Sequence, residues 1–248
     1  MNILTALIIL TAVLMTAFLS GIFGMAGGMV LMGVLSALLP IATAMILHGT
    51  IQMVSNGYRA FLWRDHILWP VFGRYAIGSV LGVGVLFALA WRPDAQGVYI
   101  MLGFTAMLVW VPKTLLDLDI TKKWQAEIAG LIVQALNTIA GVAGPLVDLF
   151  FVNTTLSRHQ IVATKAVTQS LAHLVKIVFW SVPVIQAAGL VALPSWWLIL
   201  AAIPLSMLGT SLGGKVLNAM SDVNFKRGMK GLVTLIGVVM FLRAANII

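Results

Sequence analysis

The sequence predicts an all-α integral membrane protein made of two inverted repeats of five helical segments each, with broken or re-entrant short helices after Gly-rich turns. Three observations predict it. Apolar residues make up 61% of the 248-residue chain and charged residues only 9%, against roughly a quarter charged in soluble domains. Turn residues divide the apolar sequence into ten segments. The first half of the chain also matches the second in register. Apolar runs with too few charges between them to build a wetted surface need lipid as their solvent.

In order, the segments are Ile3–Ser20, Gly27–Leu39, Thr43–Trp63, Ile67–Ala90, Val98–Pro112, Trp124–Ala140, Gly144–Leu156, Gln160–Val182, Trp196–Leu217 and Phe225–Asn246. At about 1.5 Å per residue, all but two are long enough, or nearly so, to cross roughly 30 Å of hydrocarbon. Gly27–Leu39 and Gly144–Leu156 would reach only about 20 Å as helices. Each follows a glycine-rich break, Gly24-Met-Ala-Gly-Gly28 or Gly141-Val-Ala-Gly-Pro145. The first segment has no basic stretch before it and runs on into further apolar sequence, so it is expected to be retained.

The breaks expose the repeat. With Gly24 laid on Gly141, Gly24–Trp63 aligns with Gly141–Trp180 without a gap. Ala26 then meets Ala143, Gly27 meets Gly144, Gln52 meets Gln169 and Trp63 meets Trp180; Arg59 falls on Lys176 and His48 on Lys165. The weight lies in which residues match: break glycines and rare polar side chains. The halves are 1–118 and 119–248 within one membrane domain, with Asp117–Lys123 as a polar linker.

Charge placement sets the orientation. If each half opens with a pair of segments that enters and returns, then crosses three times, the halves are inverted. One face then carries Arg64, Lys113, Lys122, Lys123, Arg158, Lys226, Arg227 and Lys230, and the other Arg92 and Arg243. That asymmetry obeys the positive-inside rule and puts both termini outside, periplasmic if the membrane is a bacterial inner one. Merging each broken pair into one span would give parallel halves and scatter the basic residues over both faces.

Composition also excludes. The net charge of +8 comes mostly from basic residues flanking apolar runs, which mark cytoplasmic loops and not a nucleic-acid surface. With no cysteine there is no disulfide framework or thiol chemistry. No P-loop is present, His48, His66, His159 and His173 lack metal-site spacing, and no nucleophile–base pair stands out. No cofactor, metal or enzymatic activity is expected. The expected partners are lipid and a small solute; whether copies of the chain assemble is left open.

Two polar stripes mark where that solute would bind. His48, Gln52, Asn56, Arg59 and Trp63 recur at steps of four and three, and Lys165, Gln169, His173, Lys176 and Trp180 recur at the same steps. Such steps keep side chains on one helix face. Polar faces near mid-membrane cost several kcal/mol unless they point inward or at water. They also serve as hydrogen-bonding glue between helices. Gln52, Asn56, Gln169 and His173 are the candidate binding side chains; His48, Arg59, Lys165 and Lys176, towards the stripe ends, would steer an anion to either mouth.

The short segments supply backbone. A helix that begins inside the membrane presents unpaired N–H groups and the positive end of its dipole. Gly24, Gly27, Gly28, Gly141 and Gly144 stand at the two breaks, and paired helix starts would cradle an anion. The competing reading is tight helix packing through small residues. Asp148, facing Leu31 in the repeat, and His173 are candidates for proton coupling.

The chain resembles the sulfite exporter TauE/SafE family of membrane transporters. The resemblance rests on length, on two weakly identical halves, and on the clusters Ser20-Gly-Ile-Phe-Gly-Met-Ala-Gly-Gly28 and Ala140-Gly-Val-Ala-Gly-Pro145. It departs from the family pattern where His48-Gly-Thr-Ile-Gln52 replaces a small-residue patch and where Pro145 interrupts the second cluster. The resemblance implies a secondary transporter of sulfite or small organosulfonates across a bacterial inner membrane, as an exporter, with Gly24, Gly27, Gly28, Gly141 and Gly144 lining the site. An anion channel, or a transporter of another small organic anion, is the alternative.

Overall fold

Among the described residues, ten α-helices form where the apolar runs predict them. The computed structural model describes residues 2–23, 26–89, 91–112, 117–151, 153–219 and 222–247. The helices are α1 (Ile3–Phe23), α2 (Ala26–Leu38), α3 (Ile41–Leu62), α4 (Trp69–Leu89), α5 (Ala95–Met107), α6 (Gln125–Ala140), α7 (Gly144–Phe151), α8 (Arg158–Ala188), α9 (Trp196–Ala219) and α10 (Asp222–Ala244). Single 3-10 turns follow α3, α5 and α8.

Two boundaries differ from expectation. The segment expected to reach Leu156 yields a helix of only 8 residues, because the chain turns at Thr154, whose hydroxyl donates back to the Phe151 carbonyl. The next helix is longer than expected at 31 residues. A capping box opens it, with the Ser157 hydroxyl accepting from the Gln160 N–H and the Gln160 side chain accepting from the Ser157 N–H. Pro183 reads as a stop in the sequence, yet the helix carries through it to Gly189, whose positive φ ends it.

Among the described residues, four stretches are long and apolar enough to cross a membrane: Ile3–Ile22, Trp69–Leu89, His159–Ala188 and Trp196–Val216. That is fewer than the sequence suggests. Helix α3 has the length, at 22 residues, and lacks the apolarity because it carries the His48–Arg59 stripe. Helices α5 and α6 are short, at 13 and 16 residues. The chain is nevertheless an integral membrane protein, since exposed Leu, Ile, Val, Phe and Trp side chains cover most of these helices.

Packing follows a reciprocal scheme. The main pairs are α1 with α9, α4 with α6, α3 with α8, and α5 with α10. Helices α1 and α9 run parallel, with Gly209 on Leu14 and Ala17, and Gly213 on Phe18 and Gly21. Helices α4 and α6 also run parallel, with Gly78 on Glu127 and Gly82 on Leu131. In both pairs the glycines stand four apart, the spacing that lets helix backbones touch in lipid. Repeat mates run the other way. Along α3 and α8, Gly49 faces Lys176 and Ile177, Gly57 faces Ser170, and Ala60 clusters with Ala163 and Ala166. Along α5 and α10, Gln96 donates to the Ala244 carbonyl at 2.8 Å and Trp110 to the Thr234 hydroxyl at 2.8 Å, with Phe104 edge-on to Phe241 between them.

Candidate functional site

The polar stripes of α3 and α8 meet because these two helices cross face to face, and small residues keep them close. Gly49 leaves room for Ile177 and the Lys176 stem. Between the helices, closed by α1, α2 and α7, lies a cavity of about 110 Å³. Drug-sized ligands fill pockets of roughly 300–1,000 Å³; this one suits a small ion. Ser20, Gly28, His48, Gln52, Asn56, Arg59, Gly144, Lys165, Gln169 and His173 line it, with Val142, Val147, Val162 and Ala166.

The lining combines satisfied and unsatisfied polar groups. Asn56 Nδ2 donates to the Gln52 carbonyl at 2.9 Å, and Arg59 reaches the Ser20 carbonyl at 3.4 Å. Lys165 is ion-paired to Asp148. By contrast, Gln169 Nε2, His173 Nδ1 and Ser20 Oγ are buried without a hydrogen-bond partner. Each such group loses its bonds to water on burial, a cost of about 1–3 kcal/mol. A cavity-bound solute with oxygen atoms would relieve that cost.

Behind the lining lies a buried hub. Lys176, fully buried, donates from Nζ to His48 Nδ1 at 2.6 Å and to the Gly141 carbonyl at 2.8 Å. His48, also fully buried, bonds through Nε2 to the Gly28 carbonyl at 2.9 Å. A carbonyl only accepts, so Nε2 carries the proton and Nδ1 is left as the acceptor for Lys176. The hub thus ties the first turn of α2 to the end of α6. His173 stacks edge-on to His48 with ring centres 5.5 Å apart.

Several expectations need correction. Lys176 and His48 do not stand at a mouth: the length of α8 puts Lys176 well inside the helix, and its ammonium turns to the carbonyl end of α6. Gly27 and Gly141 are absent from the lining. A Cβ on Gly27 would strike the backbone and hydroxyl of Ser20, so Gly27 seats α2 on α1. Gly141 ends α6 with φ +87°, a left-handed conformation that favours glycine. Gly24 lies outside the described residues. Asp148 faces Lys165 across an ion pair, which the repeat alignment with Leu31 and His48 gave no sign of.

The chain belongs to the TauE/SafE family. The profile described as Sulfite exporter TauE/SafE matches residues 8–240, nearly the whole chain. Membership makes it a multi-pass membrane transporter. No curated protein and no solved structure matches it.

Two groups were missed in this TauE/SafE member. Ser20 lines the cavity from α1, and Asn137 on α6 is fully buried with both amide atoms unpartnered. Extending the repeat alignment four residues upstream pairs these two residues with each other. Gln134, Asn137 and Thr138 also share one face of α6 by helical spacing. Gln134 Nε2 donates to Thr138 Oγ1 and to the Ala172 carbonyl.

Proposed function

We propose that this protein is a secondary transporter of small sulfur-containing anions, sulfite or small organosulfonates, working as an exporter in a bacterial inner membrane. Family membership supports the transporter class and names the chemistry to test. The carrying observation is the cavity: two repeat-related glutamines, the polar faces of α3 and α8 and both short-helix starts surround a space suited to an ion, with donors left unpartnered. Amide, imidazole and helix-start N–H groups bind an oxyanion and still release it, which a closed cage of charges would not.

The repeats are read as inverted, with halves 1–118 and 119–248. The antiparallel course of α3 against α8 and of α5 against α10 supports this; parallel halves would run such mates the same way. Alternating access then comes from one group of helices rocking against the other around the cavity.

The test is flux in proteoliposomes. Sulfite or sulfoacetate uptake should saturate with concentration and show counterflow against internal substrate. Conductance without exchange would assign a channel instead. Stabilisation of the purified protein by cations or neutral solutes, with none by sulfur oxyanions, would overturn the anion reading.

A further inference from the structure

We infer that the groove between α2 and α10 holds one anionic phospholipid, an acyl chain lying along the helices and the phosphate on Arg243. The site is on the outer surface of the bundle and is independent of the solute cavity.

The groove has a volume of about 390 Å³ and is lined from α1, α2 and α10. Pockets of roughly 300–1,000 Å³ are the size that organic ligands fill. Every lining residue except Arg243 is apolar or glycine. Gly33 and Ala37 present little side chain on the α2 side, and the buried Met240 and Ile236 form the floor. Along α10 the lining runs from Leu232 to Arg243, about 16 Å at roughly 1.5 Å per residue. That is about half of a hydrocarbon core roughly 30 Å thick, the depth of one leaflet. Arg243, in the last turn of α10, stands at the headgroup end, and Leu232 lies towards the midplane.

Arg243 is half-buried, with its guanidinium 5.9 Å from the centre of the Tyr99 ring. The Tyr99 hydroxyl donates to the Ser36 carbonyl at 2.9 Å, which holds the ring between α5 and α2. Asp94 is the acid at this end, because Gln96 ties the start of α5 to the end of α10. Its carboxylate is turned to the Gly97 N–H at 2.8 Å, as the cap of α5. Among the described residues, the ion pairs lie elsewhere, at Arg74, Lys122 and Lys165. A planar guanidinium fork matches phosphate oxygens. A zwitterionic headgroup brings its own cation to balance the phosphate, whereas an anionic one leaves that to Arg243. A second copy docked two-fold on this groove would set Arg243 near Arg243, and like charges disfavour that contact.

The full chain, purified and stripped of lipid in detergent, is titrated with phosphatidylglycerol or phosphatidylcholine of the same acyl chains. Retention is read by native mass spectrometry. Phosphatidylglycerol should be held about fivefold more tightly, the effect of one interfacial arginine on an anionic lipid. Arg243→Gln should bring that ratio towards one, and Arg243→Lys should keep most of it. Ala37→Trp, which fills the groove from an exposed position, should weaken both lipids. Arg64→Gln removes an exposed charge elsewhere and should leave the ratio unchanged. Equal retention of the two lipids overturns the inference, as does a ratio that falls as much in Arg64→Gln as in Arg243→Gln. Retention untouched by Ala37→Trp also overturns it. Lipid-free dimers that Ala37→Trp splits would give the groove to a second copy, and the inference would fall.

Discussion

The backbone of Gly28 lies against the side-chain amide of Gln52: a Cβ on this glycine would come within 3.1 Å of Gln52 Nε2. The obstacle is the end of a flexible side chain, so Gly28→Ala should fold normally and displace the amide. Substrate affinity should fall severalfold with little change in thermal unfolding. Gly27→Ala meets fixed backbone instead, 2.6 Å from the Ser20 nitrogen. Overpacking of that kind costs about 1–3 kcal/mol, so this variant should unfold at lower temperature. Equal melting temperatures for the two variants would refute the distinction.

The Asp148–Lys165 pair is partly buried, with side-chain exposures of 33% and 25%. Removing one partner of a fully buried pair costs about 3–5 kcal/mol, and an exposed pair contributes about 0–1 kcal/mol. Asp148→Asn should therefore cost about 2 kcal/mol, with much of it recovered in Asp148→Asn/Lys165→Met. It also takes the carboxylate from Lys165 and should tighten anion binding. A double-mutant cycle with no coupling, read by chemical unfolding in detergent, would count against the pair.

Helix number and order were legible because hydropathy and glycine breaks are local properties of the chain. The two stripes were legible for the same reason: steps of three and four fix a face whatever the tertiary structure. Depth was less legible. Lys176 reads as a stripe end only if α8 stops at Pro183; the helix runs on, and the lysine becomes interior. Partner choice was not legible at all. Nothing local distinguishes Gly27, pressed on Ser20, from Gly28, facing the cavity, one residue later. Trp63 and Trp180 align in the repeat, yet Trp180 is buried and donates to the Thr138 carbonyl while the more exposed Trp63 packs on His159. Sequence symmetry did not carry over to their surroundings.

Glycine pairs on α4 and α9 make a sharper stability test than any cavity residue. A Cβ at Gly82 would lie 2.5 Å from the Leu131 carbonyl, and one at Gly209 would lie 2.5 Å from that of Leu14. Both obstacles are helix backbone, so neither can yield without parting the helices. Gly82→Val and Gly209→Val should each lower the yield of folded protein and the melting temperature by several degrees, corresponding to about 2–3 kcal/mol. Gly84, with open space around its Cβ direction, is the control. Gly84→Val behaving like Gly82→Val would mean that helix propensity, and not close packing, sets the cost.

Antiparallel mates make a claim about sides. The turn after α3 holds Asp65, and the turn after α8 holds Val191, 94% exposed. Since α3 and α8 run in opposite directions, these turns leave the bundle at opposite ends. The chain has no cysteine, so Asp65→Cys and Val191→Cys each introduce a single thiol. A membrane-impermeant maleimide applied to intact cells should label Val191→Cys and spare Asp65→Cys, which lies beside Arg64 on the face proposed to be cytoplasmic. Inside-out vesicles should reverse the pattern. Both thiols reacting from the same side would mean parallel halves, and the rocking of one inverted half against the other would go with them.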